Sequence, residues 1–110
     1  MVELREYLDS QGRAPFSRWF NKLDSIAAAR VAIALQRMQE GNLSNVKSVG
    51  EGVTEYRIDF GPGYRVYFGR DGTSLIILLS GGTKKRQQSD IAAAKEYWDD
   101  YKRRKSSGVR

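Results

Sequence analysis

Between Val53 and Phe68 apolar and polar side chains alternate with period two on either side of Gly61-Pro62-Gly63. No other stretch of the 110 residues restricts the fold so tightly. The pattern predicts two strands, Val53 to Phe60 and Tyr64 to Phe68, joined by a three-residue hairpin loop with glycine available for positive φ. With Phe60 opposite Tyr64, Asp59 faces Arg65 and Arg57 faces Tyr67. Alternation then gathers Tyr56, Ile58, Phe60, Tyr64, Val66 and Phe68 on one face, which reads as core. Glu55, Arg57, Asp59, Arg65 and Tyr67 share the other face, a cluster of charge with a phenol in it.

The flanking segments complete an α+β reading. Val2 to Leu8 alternates like a short strand, and Asp9-Ser10-Gln11-Gly12 is a turn. Pro15 suits the first turn of a helix, where a missing N–H costs nothing, and Phe16, Trp19, Phe20 and Leu23 fall on one face of it. Asp24 is placed to cap a second helix running to about Glu40, with Ala27, Val31, Ala34, Leu35 and Met38 as its apolar stripe and Gly41-Asn42 as its stop. Leu43 to Gly52 reads as a loop. Arg70-Asp71-Gly72-Thr73 is a turn into an apolar strand, Ser74 to Leu79, that Gly81-Gly82 breaks. A last helix is expected from Ser89 or Asp90 to Tyr101, packed through Ile91, Ala94, Tyr97, Trp98 and Tyr101. The expected domain therefore covers residues 1–101: an N-terminal strand, a helical hairpin, an antiparallel three-strand meander and a C-terminal helix. Residues 102–110 read as a frayed basic tail.

Two absences narrow the chemistry. The chain has no Cys and no His, so it lacks the usual ligands of zinc and other borderline metals, and no metal or other cofactor is expected. Acid–base work at neutral pH falls to Lys, Tyr, Glu, Asp or Arg, which excludes serine–histidine triads and two-histidine ribonucleases. The sequence has neither a secretory signal pattern nor an apolar run long enough to span a bilayer, so a soluble cytoplasmic protein without a membrane partner is expected. Residues 1–56 carry seven basic and seven acidic residues; the whole formal charge of +6 falls in residues 57–110. Such asymmetry suits a polyanionic partner.

The charged strand face suits cleavage of RNA by its own 2′-hydroxyl. That reaction needs a base for the hydroxyl proton, cations for the crowded phosphate and an acid for the leaving 5′-oxygen. Arg57 and Arg65 offer forked donors to phosphate oxygens. Lys84-Lys85-Arg86, between the Gly81-Gly82 break and the last helix, can present amines to a phosphate. A cross-strand Asp59–Arg65 ion pair and a solvated charge run are the simpler structural readings of the same residues.

Glu55-Tyr56-Arg57-Ile58-Asp59-Phe60-Gly61-Pro62-Gly63-Tyr64-Arg65-Val66-Tyr67 resembles the ELRID(Y/F)GPGYRVY segment of HigB-like addiction-module killer proteins, which belong to the RelE superfamily and are also described as phage-derived Gp49-like. Leu78-Leu79-Ser80-Gly81-Gly82-Thr83-Lys84, with Gln87 and Asp90-Ile91, resembles a second segment of that family, LLxGGDKxxQxxDI. The resemblance runs to about residue 98 and leaves out the basic tail. Tyr56 stands where the family usually has Leu, and Thr83 where it has Asp.

The resemblance implies a RelE-like α+β fold and a toxin that cuts mRNA, usually on the translating ribosome, held inactive by a cognate antitoxin that often carries a helix-turn-helix. It implies that Arg57 and Arg65 stabilise phosphate charge, that Lys84 binds phosphate or moves a proton, and that Gln87 is a polar contact or a structural tie. Glu55 is the candidate base by its parity with Arg57. Tyr67 is a further catalytic candidate, and Lys85 and Arg86 join Gln87 as candidate RNA contacts. The competing readings are a non-catalytic RNA- or ribosome-binding module and an antitoxin-binding module.

Overall fold

The hairpin around Gly61-Pro62-Gly63 lies at the heart of a five-stranded sheet in the computed structural model, which describes residues 1–107. In chain order the elements are β1 (Glu3–Glu6), α1 (Pro15–Phe20), α2 (Ser25–Gln39), β2 (Val46–Gly50), β3 (Val53–Ile58), β4 (Tyr64–Asp71), β5 (Leu75–Thr83), a 3₁₀ turn (Lys84–Arg86) and α3 (Gln87–Ser106). The strands lie in the order β1-β5-β4-β3-β2. β2 to β5 form an antiparallel meander, and β1 joins its far edge parallel to β5. The α+β class agrees with the sequence reading, and several of its parts are corrected.

The meander has four strands rather than three, because Val46–Gly50 is a strand and not a loop. Only Val46 and Val49 of it are shielded, and its other side chains face solvent, so it has little apolar signature. The β2–β3 turn places Gly50, Glu51 and Gly52 all at positive φ. The β3–β4 hairpin pairs Ile58 with Tyr64 and Arg57 with Arg65, two residues from the expected register. A shift of two preserves which face each residue occupies, so the parity reading survives while the loop lengthens to Asp59–Gly63.

β5 runs straight through Gly81-Gly82, which was expected to break it. These glycines are there for close approach. A Cβ at Gly81 would fall 2.2 Å from the Trp19 ring, and one at Gly82 would fall 1.9 Å from an Asp90 carboxylate oxygen. Gly69 and Gly52 serve Trp98 in the same way, at 2.5 and 2.6 Å. Bare backbone at these points lets helices on both sides seat large groups directly on the sheet.

Both sheet faces are therefore packed, whereas the sequence pattern assigned one to core and the other to charge. On the first face Phe16, Val31, Ala34 and Met38 of α1 and α2 meet Tyr56, Val66, Phe68, Ile76 and Leu78. Asp24 caps α2 as expected, accepting a hydrogen bond from the Ala27 N–H at 2.8 Å. α1 packs chiefly on β5, so the two helices act as neighbours on the sheet more than as a self-contained hairpin. On the second face Ala94 and Trp98 of α3 cover Val53, Tyr67, Ile77, Leu79 and Tyr7. α3 leaves one end of that face open, and the charged residues lie there.

α3 begins at Gln87 and continues to Ser106, past the expected stop at Tyr101. Residues 102–106 of the expected tail are thus helical, and 108–110 lie outside the described residues. Charge pairing supports the extension. Arg103 pairs with Asp99 and Arg104 with Asp100, both at i,i+4, and Lys105 reaches Asp71 on β4. Tyr7 donates to Asp100 and Tyr101 to Asp71, each at 2.6 Å, pinning the helix to β1 and β4.

These tyrosines make stability sensitive to alkali. Burial first, and then the Asp100 partner, pushes Tyr7 up to about 12; burial first, and then Asp71, does the same for Tyr101. Unfolded tyrosine ionises near about 10. Above that pH the unfolded chain has released protons that the folded chain still holds, so the contribution is intact below about pH 10 and is lost towards about pH 12. Urea midpoints are expected to fall across this window, less steeply in a Tyr7→Phe, Tyr101→Phe double variant. Identical alkaline slopes in the two proteins would refute the assignment.

Candidate nucleic-acid interface

Arg57 and Arg65 stand directly opposite one another on β3 and β4. Two like charges in that relation repel, so the strands need a counter-charge. Glu55 supplies it. Its carboxylate is fully buried, with Oε2 3.7 Å from Arg65 Nε and Oε1 4.0 Å from Arg57 Nε. Tyr67 donates to Oε2 at 3.1 Å and the Gln87 amide donates to it at 2.7 Å. Neither Glu55 Oε1 nor Arg65 Nε has a hydrogen-bond partner, so the arginines are held by charge rather than by a bidentate bond.

The turn glycine Gly63 joins this pair to the next segment. Its carbonyl accepts a hydrogen bond from Arg65 Nη1 at 2.7 Å and another from the Lys84 backbone N–H at 2.9 Å. Gly63 has φ of 78°, and a Cβ there would approach Arg65 Nη1 to 2.8 Å. The conformation favours glycine, and a side chain there would displace the Arg65 guanidinium. The result is a cleft of about 470 Å³ whose lining includes Arg57, Arg65, Lys84, Lys47, Asn45 and Asp59. Asp59 is its single carboxylate.

Of the residues singled out in the sequence, Arg57, Arg65 and Lys84 meet in this cleft. Arg57 is exposed, whereas Arg65 retains only 4% of its surface and presents little more than an edge. Glu55, the expected base, has no exposed surface and lies against the two arginines, with no part of it open to the cleft. Tyr67 is buried in the core under α3. Burial first, and then the charge of Glu55, raises its phenol well above the ordinary tyrosine range, which keeps it a hydrogen-bond donor. Gln87, expected to touch RNA, turns inward to Glu55. Lys85 and Arg86 are exposed on the 3₁₀ turn but do not line the cleft.

Sequence reasoning missed Lys47 and Asn45, because both belong to the segment read as a loop. It placed Asp59 in the charged cluster without a role of its own, or opposite Arg65 as an ion pair; the observed register removes that pairing and leaves the carboxylate exposed in the cleft. No helix among the described residues is long and apolar enough to cross a membrane. Among those residues no three acidic side chains come together as a metal site.

A small α+β protein with a cationic cleft built on a buried glutamate is the class these features define. The phage-derived protein Gp49-like (DUF891) family model matches residues 18–99, so the chain belongs to that family, which is associated with toxin–antitoxin modules. An uncharacterized protein of Haemophilus influenzae is 44% identical over 63 residues. That match covers 56% of this chain and 64% of the relative, a little under two thirds of its length.

Proposed function

We propose that this chain is the toxin of a type II toxin–antitoxin pair, an endoribonuclease of the RelE/HigB kind that cleaves mRNA on the translating ribosome without a metal. The convergence of Arg57, Arg65 and Lys84 on one cleft carries the reading. The scissile phosphate lies on the two guanidiniums, which neutralise charge as it builds on the phosphoryl oxygens. Asp59, the exposed carboxylate, takes the 2′-hydroxyl proton; the 2′-oxygen bonds to phosphorus, and the bond to the 5′-oxygen breaks. Lys84 gives its ammonium proton to that leaving oxygen. The products are a 2′,3′-cyclic phosphate and a 5′-hydroxyl. Glu55, Tyr67 and Gln87 act by position, and a cognate antitoxin, of the helix-turn-helix kind, is the partner that silences the cleft.

The test is to add purified protein to a translation reaction and map the RNA ends. Cuts confined to translated message, bearing 5′-hydroxyls and 2′,3′-cyclic phosphates, are expected. Tight binding to ribosome or RNA with no new ends would replace the enzyme by a binding module, and new ends bearing 5′-phosphates would refute attack by the 2′-hydroxyl.

A further inference from the structure

The cationic cleft does not end at the edge of the sheet. A second cleft of about 260 Å³ shares Asn45, Arg57, Ile58 and Asp59 with the first, and its far wall is α2. The first contributes Lys47, Arg57, Arg65 and Lys84; the second adds Arg30 and Arg37, giving six cations against the single carboxylate of Asp59. Arg30 and Arg37 lie two helical turns apart on α2, with Ile33, 47% exposed, between them. The Arg30 guanidinium sits 4.3 Å above the centre of the Phe60 ring, and Phe60 also lines this cleft.

Most of the cleft cations are free of ion pairs. Among the described residues, Arg30, Arg37, Lys47 and Lys84 have no carboxylate within 4 Å, whereas Lys95, Arg103, Arg104 and Lys105 on α3 are all ion-paired. The joined clefts thus gather four unpaired cations on one continuous surface, while among the described residues Arg18, Lys22, Arg70, Lys85, Arg86 and Lys102 are unpaired outside them. Mixed with it are an aromatic ring and an exposed aliphatic side chain, the surfaces on which unpaired bases stack.

We propose that the joined clefts form a track for single-stranded RNA, in which nucleotides flanking the scissile phosphate pass from the Arg57–Arg65–Lys84 cleft onto α2, their phosphates on Arg30 and Arg37 and a base against Phe60 and Ile33. The track rests on the reading of the first cleft as a phosphodiester site and extends it. An acidic polypeptide would meet the same charges, and competition by an acidic peptide separates that occupant from RNA.

The probes are fluorescent 2′-O-methyl oligoribonucleotides, which lack the attacking hydroxyl, of about three and about twelve nucleotides, read by anisotropy across a salt series. Arg30→Ala with Arg37→Ala is expected to weaken binding of the long probe about tenfold and to reduce its log–log salt slope by about 1.4, two contacts at about 0.7 each. Binding of the short probe should not change, and the thermal midpoint should fall by about 8 °C at most, the loss of the exposed Arg30–Phe60 contact. Arg57→Ala should weaken both probes. A long probe bound as tightly by the double variant as by wild type, or a short probe weakened equally, overturns the track. A short probe indifferent to Arg57→Ala would overturn the phosphodiester reading itself, a different signature. Displacement of the short probe but not the long one by an acidic peptide supports the track; equal displacement of both, with no effect of the double variant, assigns α2 to a protein partner.

Discussion

A Glu55→Ala variant is expected to lose about 3–5 kcal/mol of folding stability, the cost of leaving a buried cation without its partner. Arg65 keeps 4% of its surface, and the Tyr67 hydroxyl and Gln87 amide both end on the same carboxylate. Truncation strands one charge and two donors at once. For a domain of this size each kcal/mol moves the midpoint by about 4–8 °C, so a drop of at least about 12 °C should appear in a thermal scan. Removing the cation as well, in Glu55→Ala with Arg65→Leu, is expected to restore much of the loss, because an apolar pair leaves no uncompensated charge. A single variant that melts with wild type, or a double variant weaker than the single by the full cost of a second lesion, would show that the pair is not coupled.

Arg57→Ala should behave in the opposite way. Its side chain is 57% exposed and contributes little to packing, so the thermal midpoint is expected to stay close to wild type. Cleavage should nevertheless fall by about 10²–10³-fold, the usual effect of removing one donor aimed at developing phosphate charge. The comparison is best made by single-turnover cutting of translated message at saturating protein. Undiminished cutting would remove Arg57 from the reaction. Arg65→Ala should lower both activity and stability, since that arginine serves the cleft and the core together.

The strand parity between Glu55 and Tyr67 was legible in the sequence because a period of two is insensitive to a two-residue error in register. The helix cap at Asp24 and the stop at Gly41 were legible for similarly local reasons. β2 was not: an edge strand with one shielded side chain in two or three has no apolar alternation to show. The Gly81-Gly82 pair was misread because sequence shows a missing side chain but not the Trp19 ring and Asp90 carboxylate that fill its place. Burial of Glu55 was hidden for a related reason, since its cover comes from α3, distant in the chain. Charge by halves was a poor guide to charge in space. Arg103, Arg104 and Lys105 of α3 are paired with acids of their own half, while Arg30, Arg37 and Lys47 of the clefts come from the half with no net charge.

The tie from Gln87 to Glu55 sets the order in which the protein acquires its working parts. Both arginines leave the ribosome early, on β3 and β4, but the strut that steadies them arrives only with α3, the last element of the described fold. A nascent chain with its strands already paired still lacks that strut, so the contacts of Glu55 are complete only once α3 has docked. The same logic makes α3 a remote handle: anything that peels it from the sheet releases the Gln87 amide from Glu55 without touching Arg57 or Lys84.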